Sequence, residues 1–136
     1  MRRSAIALAL AAALAPPALA DEGDAMLSRV GAEMFQQYCA SCHGQSAAGD
    51  GPAAGALRTP PADLTRIAAR RGGSFPDGEI ARFVDGRFDV PAHGTREMPI
   101  WGRKLGEAVA EGAEPDEVAR GRILALVEYL KTIQAK

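Results

Sequence analysis

Apolar positions along this chain recur at helical spacing in three places, and nowhere alternate as a strand would. Leu27, Val30, Met34, Phe35 and Tyr38 fall three and four apart, which predicts an amphipathic helix over 26–38 with Asp24 as its N-cap. Asp63 is placed to cap a short helix running to Arg70, ended by Gly72-Gly73. A second short helix is expected from Asp77 to Asp85, closed by Gly86, with Ile80, Phe83 and Val84 as its apolar face. Pro115 opens a final helix, since proline is tolerated in a first turn, and Val118, Ile123, Leu126, Val127, Leu130 and Ile133 form its buried stripe. Between these elements, Gln45–Pro61 is rich in Gly, Ala and Pro and reads as a wrapping loop, and Arg87–Gly106 as an extended one. The pattern is that of an all-α domain without internal repeats.

The first twenty residues follow a different logic. Arg2 and Arg3 precede an unbroken apolar run, Ala5–Ala15, then Pro16-Pro17 and the small residues Ala18-Leu19-Ala20. This is the layout of a secretory leader, with cleavage expected after Ala20. An eleven-residue apolar run is too short to cross a hydrocarbon core, which takes about 20 residues. Residues 21–136 then form one domain, with no transmembrane span. The 136-residue chain carries a formal charge of −1, and losing two arginines makes the remainder more acidic. That balance excludes a general nucleic-acid binder and favours partners with basic docking surfaces.

Chemistry concentrates at Cys39-Ala40-Ser41-Cys42-His43, the C-x-x-C-H pattern of a covalent c-type haem site. Two thiols three apart can each add to a vinyl group of one porphyrin, and the adjacent imidazole is a natural proximal iron ligand. A dithiol redox pair belongs near a βαβ pattern, which is missing here. Zinc would need Cys39, Cys42, His43 and His93, but the two histidines stand fifty positions apart, where zinc fingers space theirs by three to five. Two cysteines provide no disulfide framework.

A sixth ligand decides between electron transfer and ligand chemistry. Met26 and Met34 lie on the helix before the haem motif and do not readily reach the other face. Met98 lies fifty-five residues beyond His43 on a long loop, stiffened by Pro99, and is the candidate distal ligand. His93, five residues earlier, is the competitor. A thioether is the weaker donor, so His/Met ligation favours ferrous iron and raises the potential relative to bis-His.

With these residues in view, the chain resembles the class I monohaem cytochromes c, bacterial periplasmic type, over almost all of 21–136. Gly31-x-x-x-Phe35 stands before Cys39 as in that family, and Leu126 and Tyr129 match its pair on the last helix. The resemblance implies a small all-α fold in which the N- and C-terminal helices cross at these four residues, with short helices and loops wrapped around one covalently bound haem c. Met98-Pro99-Ile100-Trp101-Gly102 is similar to the family's methionine-ligand segment, and it implies a propionate contact for Trp101. Gly49-Asp50-Gly51-Pro52-Ala53-Ala54 and Pro60-Pro61-Ala62-Asp63-Leu64-Thr65 are similar to a bacterial subgroup. In the family a proline carbonyl accepts the Nδ1 hydrogen of the ligand histidine, which leaves Pro52, Pro60 and Pro61 as candidates here. The stretch between Gly106 and Glu114 departs from compact members.

The implied function is periplasmic electron carriage by Fe(III)/Fe(II) cycling, with no substrate transformed. Phe35, Leu57, Phe83 and Leu126 are expected to exclude water from the ring. The implied partners are a dehydrogenase, reductase or oxidase met by a monomer in transient contact. Alternatives are a cytochrome subunit of a periplasmic dehydrogenase and, further off, a haem peroxidase, a reductase or a gas sensor with a labile distal ligand.

Overall fold

The computed structural model describes residues 18–87, 98–107 and 112–135. His93, residues 1–17 of the expected leader, and most of the stretch between Gly106 and Glu114 lie outside the described residues. The described chain forms five α-helices: α1 (Ala18–Tyr38), α2 (Ala40–His43), α3 (Asp77–Asp85), α4 (Trp101–Lys104) and α5 (Pro115–Thr132). Single 3-10 turns occur at Ala54–Ala56, Leu64–Arg66 and Ala69–Arg71, and there is no strand among the described residues. None of the described helices is long and apolar enough to cross a membrane.

The frame is the crossing of α1 and α5. A Cβ built at Gly31 would lie 1.9 Å from the Ala125 carbonyl oxygen and 2.9 Å from Tyr129 Cβ, so only glycine lets the two backbones meet here. One turn on, Phe35 is fully buried, and its ring lies 5.3 Å from that of Tyr129 at 48°. Leu126, Val127, Leu130 and Ile123 complete this side of the core, with Val84 covering it from α3 and Leu105 from the end of α4. Of the four residues named for the crossing, Gly31, Phe35 and Tyr129 meet directly there, with the Ala125 backbone as a further partner, and Leu126 lies in the core cluster beside them.

Several expectations need correction. Helix α1 is already formed at Ala18, the first described residue, so Asp24 lies inside it rather than capping it. Ala, Leu and Glu propagate a helix well. On the inward face Gly31 takes the place assigned to Val30, which is exposed. Similarly, α3 has the expected bounds and Gly86 closes it at φ 66°, but its buried face is Val84 and Asp85 with Ile80 and Ala81 beside them. Phe83 is 60% exposed, so it is not part of the protein core. A carboxylate can take the inner position because Arg87 neutralises it.

The helix expected over 63–70 is instead two 3-10 turns. Asp63 does cap it, accepting from the Thr65 backbone N–H at 2.9 Å and the Thr65 hydroxyl at 2.6 Å. Continuing as an α-helix would require the Ala68 N–H to reach the Leu64 carbonyl. The side-chain amide of Gln134 takes both groups: Ala68 N–H donates to its Oε1 and its Nε2 donates to Leu64 O, each at 2.9 Å. The Ala135 N–H adds a 2.7 Å bond to Thr65 O, so the residues following α5 staple this segment.

Candidate haem site

Helix α1 ends where the cysteine motif begins. Cys39 N–H closes the last turn onto Phe35 O at 2.9 Å, and Cys42 and His43 both donate back to Cys39 O, forming the one-turn helix α2. A helix this short leaves its carbonyls without intrahelical partners. The next loop supplies them in order: Ala53 N–H to Ser41 O at 2.9 Å, Gly51 N–H to Cys42 O at 3.1 Å, and Gly49 N–H to His43 O at 2.8 Å. A Cβ at Gly51 would sit 2.5 Å from Ser41 O and 2.6 Å from the Cys42 carbonyl, which explains the glycine at that place. The wrapping loop thus fixes the backbone of Ser41, Cys42 and His43, while Cys39 is held by its bond to Phe35 O at the end of α1.

His43 Nδ1 lies 3.0 Å from the carbonyl oxygen of Ala62. None of the three prolines supplies this carbonyl. Successive carbonyls of an extended chain point to opposite sides, and the Pro61 oxygen lies against Gly49 while that of Ala62 faces the ring. A carbonyl can only accept, so Nδ1 carries the proton and Nε2 keeps its lone pair, the tautomer an iron ligand needs. Leu64 N–H to Ala47 O at 2.8 Å and the Asp63 cap hold Ala62 from its C-terminal side.

No disulfide joins Cys39 and Cys42. Burial, with a smaller contribution from Cys42, pushes the Cys39 thiol up to about 12. A dithiol redox pair requires the opposite shift, toward a thiolate at neutral pH. The described histidine, cysteine and carboxylate side chains do not converge in any group of three, as a zinc site would require. Two cysteine thiols one helical turn apart, beside an imidazole whose Nδ1 is engaged by a carbonyl, are the donor set that a covalent haem takes.

Met98 is half-buried and packs against the core cluster together with Trp101. The Trp101 ring meets Tyr38 edge-on, with centroids 5.8 Å apart at 60°. Tyr38 immediately precedes Cys39, so this contact brings the Met98–Trp101 segment to the end of α1 that carries the cysteine motif. Leu57 is half-buried, whereas Phe35 and Leu126 belong to the helix crossing.

Residues 27–113 match the family described as cytochrome C oxidase, cbb3-type, subunit III. The chain belongs to this family of c-type cytochrome domains. No curated protein and no solved structure matches it. As a cytochrome c domain it has the small all-α fold described above, binds haem c covalently, and is a haem electron-transfer protein that works with redox partners.

An ion-pair group beside Gly102 is not evident from the residue pattern. Arg87 pairs with the buried Asp85 and also reaches Asp116 at the start of α5. Its only sequence trace is Asp85-Gly86-Arg87, which reads as an ordinary helix end.

Proposed function

We propose that this cytochrome is a periplasmic one-electron carrier with Cys39 and Cys42 as thioether attachments, His43 as proximal ligand and Met98 as distal ligand. Haem c supplies an iron that accepts and returns a single electron. The chain's part is to hold that iron in one ligand set in both states, so that little must move when the electron does. His43 is oriented through Nδ1 by the Ala62 carbonyl, which also raises the basicity of Nε2. Met98 offers a thioether that favours ferrous iron, and Trp101 offers its indole N–H to a propionate. The leader, removed after Ala20, would deliver the chain to the compartment where haem is attached.

The observation that carries the reading is the docking of the Met98–Trp101 segment on Tyr38, next to Cys39. With His43 and Met98 both as ligands, no position on the iron would be left open for substrate, which favours carriage over peroxidase or reductase chemistry. Met98→Ala tests it. The ferric wild-type protein is expected to show the near-infrared sulfur-to-iron band, and the variant to lose it and to bind carbon monoxide when reduced. A wild-type spectrum without that band, together with loss of six-coordination in His93→Ala, would give the role to His93.

A further inference from the structure

Asp85 is the buried charged residue of the described chain. Its two oxygens accept from Arg87 Nε at 2.6 Å and Nη2 at 2.9 Å, a bidentate arrangement, and the Arg87 backbone N–H adds a third bond at 3.2 Å. The other terminal nitrogen of Arg87 reaches Asp116 in the first turn of α5. The guanidinium therefore ties the end of α3 to the start of α5.

What rests on this pair is the backbone that follows Met98. Gly102 is buried, and a Cβ there would lie 2.1 Å from Asp85 Oδ1 and 2.5 Å from Arg87 Nε. Glycine here has no conformational task, since it lies within α4; it is needed because α4 sits directly on the ion pair. Arg122 closes the same element from α5 by donating to Leu105 O at 2.5 Å. Tyr38 and the Asp85–Arg87 pair thus hold Trp101 and Gly102, three and four residues after Met98.

We propose that Arg87, through its bidentate pair with Asp85 and its link to Asp116, is a positioning residue that keeps Met98 on the iron by fixing the backbone of Gly102. This rests on the assignment of Met98 as distal ligand. A planar fork suits the task better than a lysine, because two parallel bonds fix the carboxylate plane against which Gly102 lies. Loss of the fork leaves Asp85 buried without its bidentate partner and gives α4 room to shift.

The test uses the haem-loaded protein, with imidazole as the probe, since imidazole can bind ferric iron only when the thioether has left. Arg87→Gln is expected to raise the imidazole association rate roughly tenfold, the size of an ordinary coupling between residues of one ion-pair network, with the sulfur-to-iron band weakened. Arg87→Lys is expected to recover part of the loss. Lys131→Gln breaks a different α3–α5 link, to Asp77, and is expected to leave the rate unchanged. If Arg87→Gln does not accumulate as folded protein, Asp116→Asn removes the outer half of the link and is expected to act in the same direction. A wild-type rate in Arg87→Gln, or equal acceleration in Lys131→Gln, overturns the proposal. Met98→Ala separates the two readings. If it abolishes the band while Arg87→Gln changes nothing, the ligand assignment stands and the positioning role fails. If it leaves the band intact, the ligand assignment fails and the positioning role with it.

Discussion

One peptide unit decides how His43 can act. Its Nδ1 partner is the carbonyl of Ala62, and the neighbouring side chain, Asp63, holds that peptide by capping Thr65 through both its N–H and its hydroxyl. Removing the cap therefore has two consequences. Asp63→Ala is expected to lower stability by about 1 kcal/mol, as for other lost N-caps, measured by chemical unfolding of the haem-loaded protein. It is also expected to raise the reduction potential, because a looser hydrogen bond makes the imidazole a weaker base and stabilises ferric iron less. A stability loss with an unmoved potential would show that Ala62 is held without Asp63.

At the scale of elements, the decisive contact is between two backbones. A methyl at Gly31 would fall 1.9 Å from a carbonyl oxygen of α5, and no rotamer change can relieve a clash with main chain. Gly31→Ala is expected to push α1 and α5 apart and to cost about 1–3 kcal/mol, the usual range for overpacking. Equilibrium denaturation of the haem-loaded protein measures it, and a midpoint equal to wild type would show that the crossing adjusts freely. Elements whose ends are written locally are legible in the sequence: α3 stops at Gly86 and α5 begins at Pro115, because a left-handed glycine and a first-turn proline act on their own neighbours. The segment 63–71 was not, because the side chain that splits it, Gln134, lies 66 residues from the Ala68 it engages. The site divides in the same way. Cysteines and histidine announce themselves by type, whereas the carbonyl that orients His43 belongs to an alanine and leaves no mark on the residue pattern.

For the molecule as a whole, acid is the condition that should undo the connections between elements. Among the described residues, the carboxyls held below their ordinary range include Asp63, by the Thr65 hydroxyl, Asp77, by Lys131 across to α5, and Glu79, by Arg71 from the turn before α3. A carboxyl whose folded value is depressed stabilises the fold fully above its unfolded value and loses that contribution as pH falls through the folded one. Stability is therefore expected to be level from about pH 7 to about pH 5 and to decline below about pH 4.5, where unfolded carboxyls begin to bind protons. The Lys131 ammonium, raised by Asp77 and Glu128, stays charged throughout that window and adds no slope of its own. These pairs are largely exposed, so each is worth little and salt should flatten the decline. Urea midpoints of the haem-loaded protein across this range provide the measurement, with Asp77→Asn expected to remove part of the acid slope. A midpoint that rises as pH falls would mean that carboxylate repulsion, rather than these pairings, governs the acid behaviour of the fold.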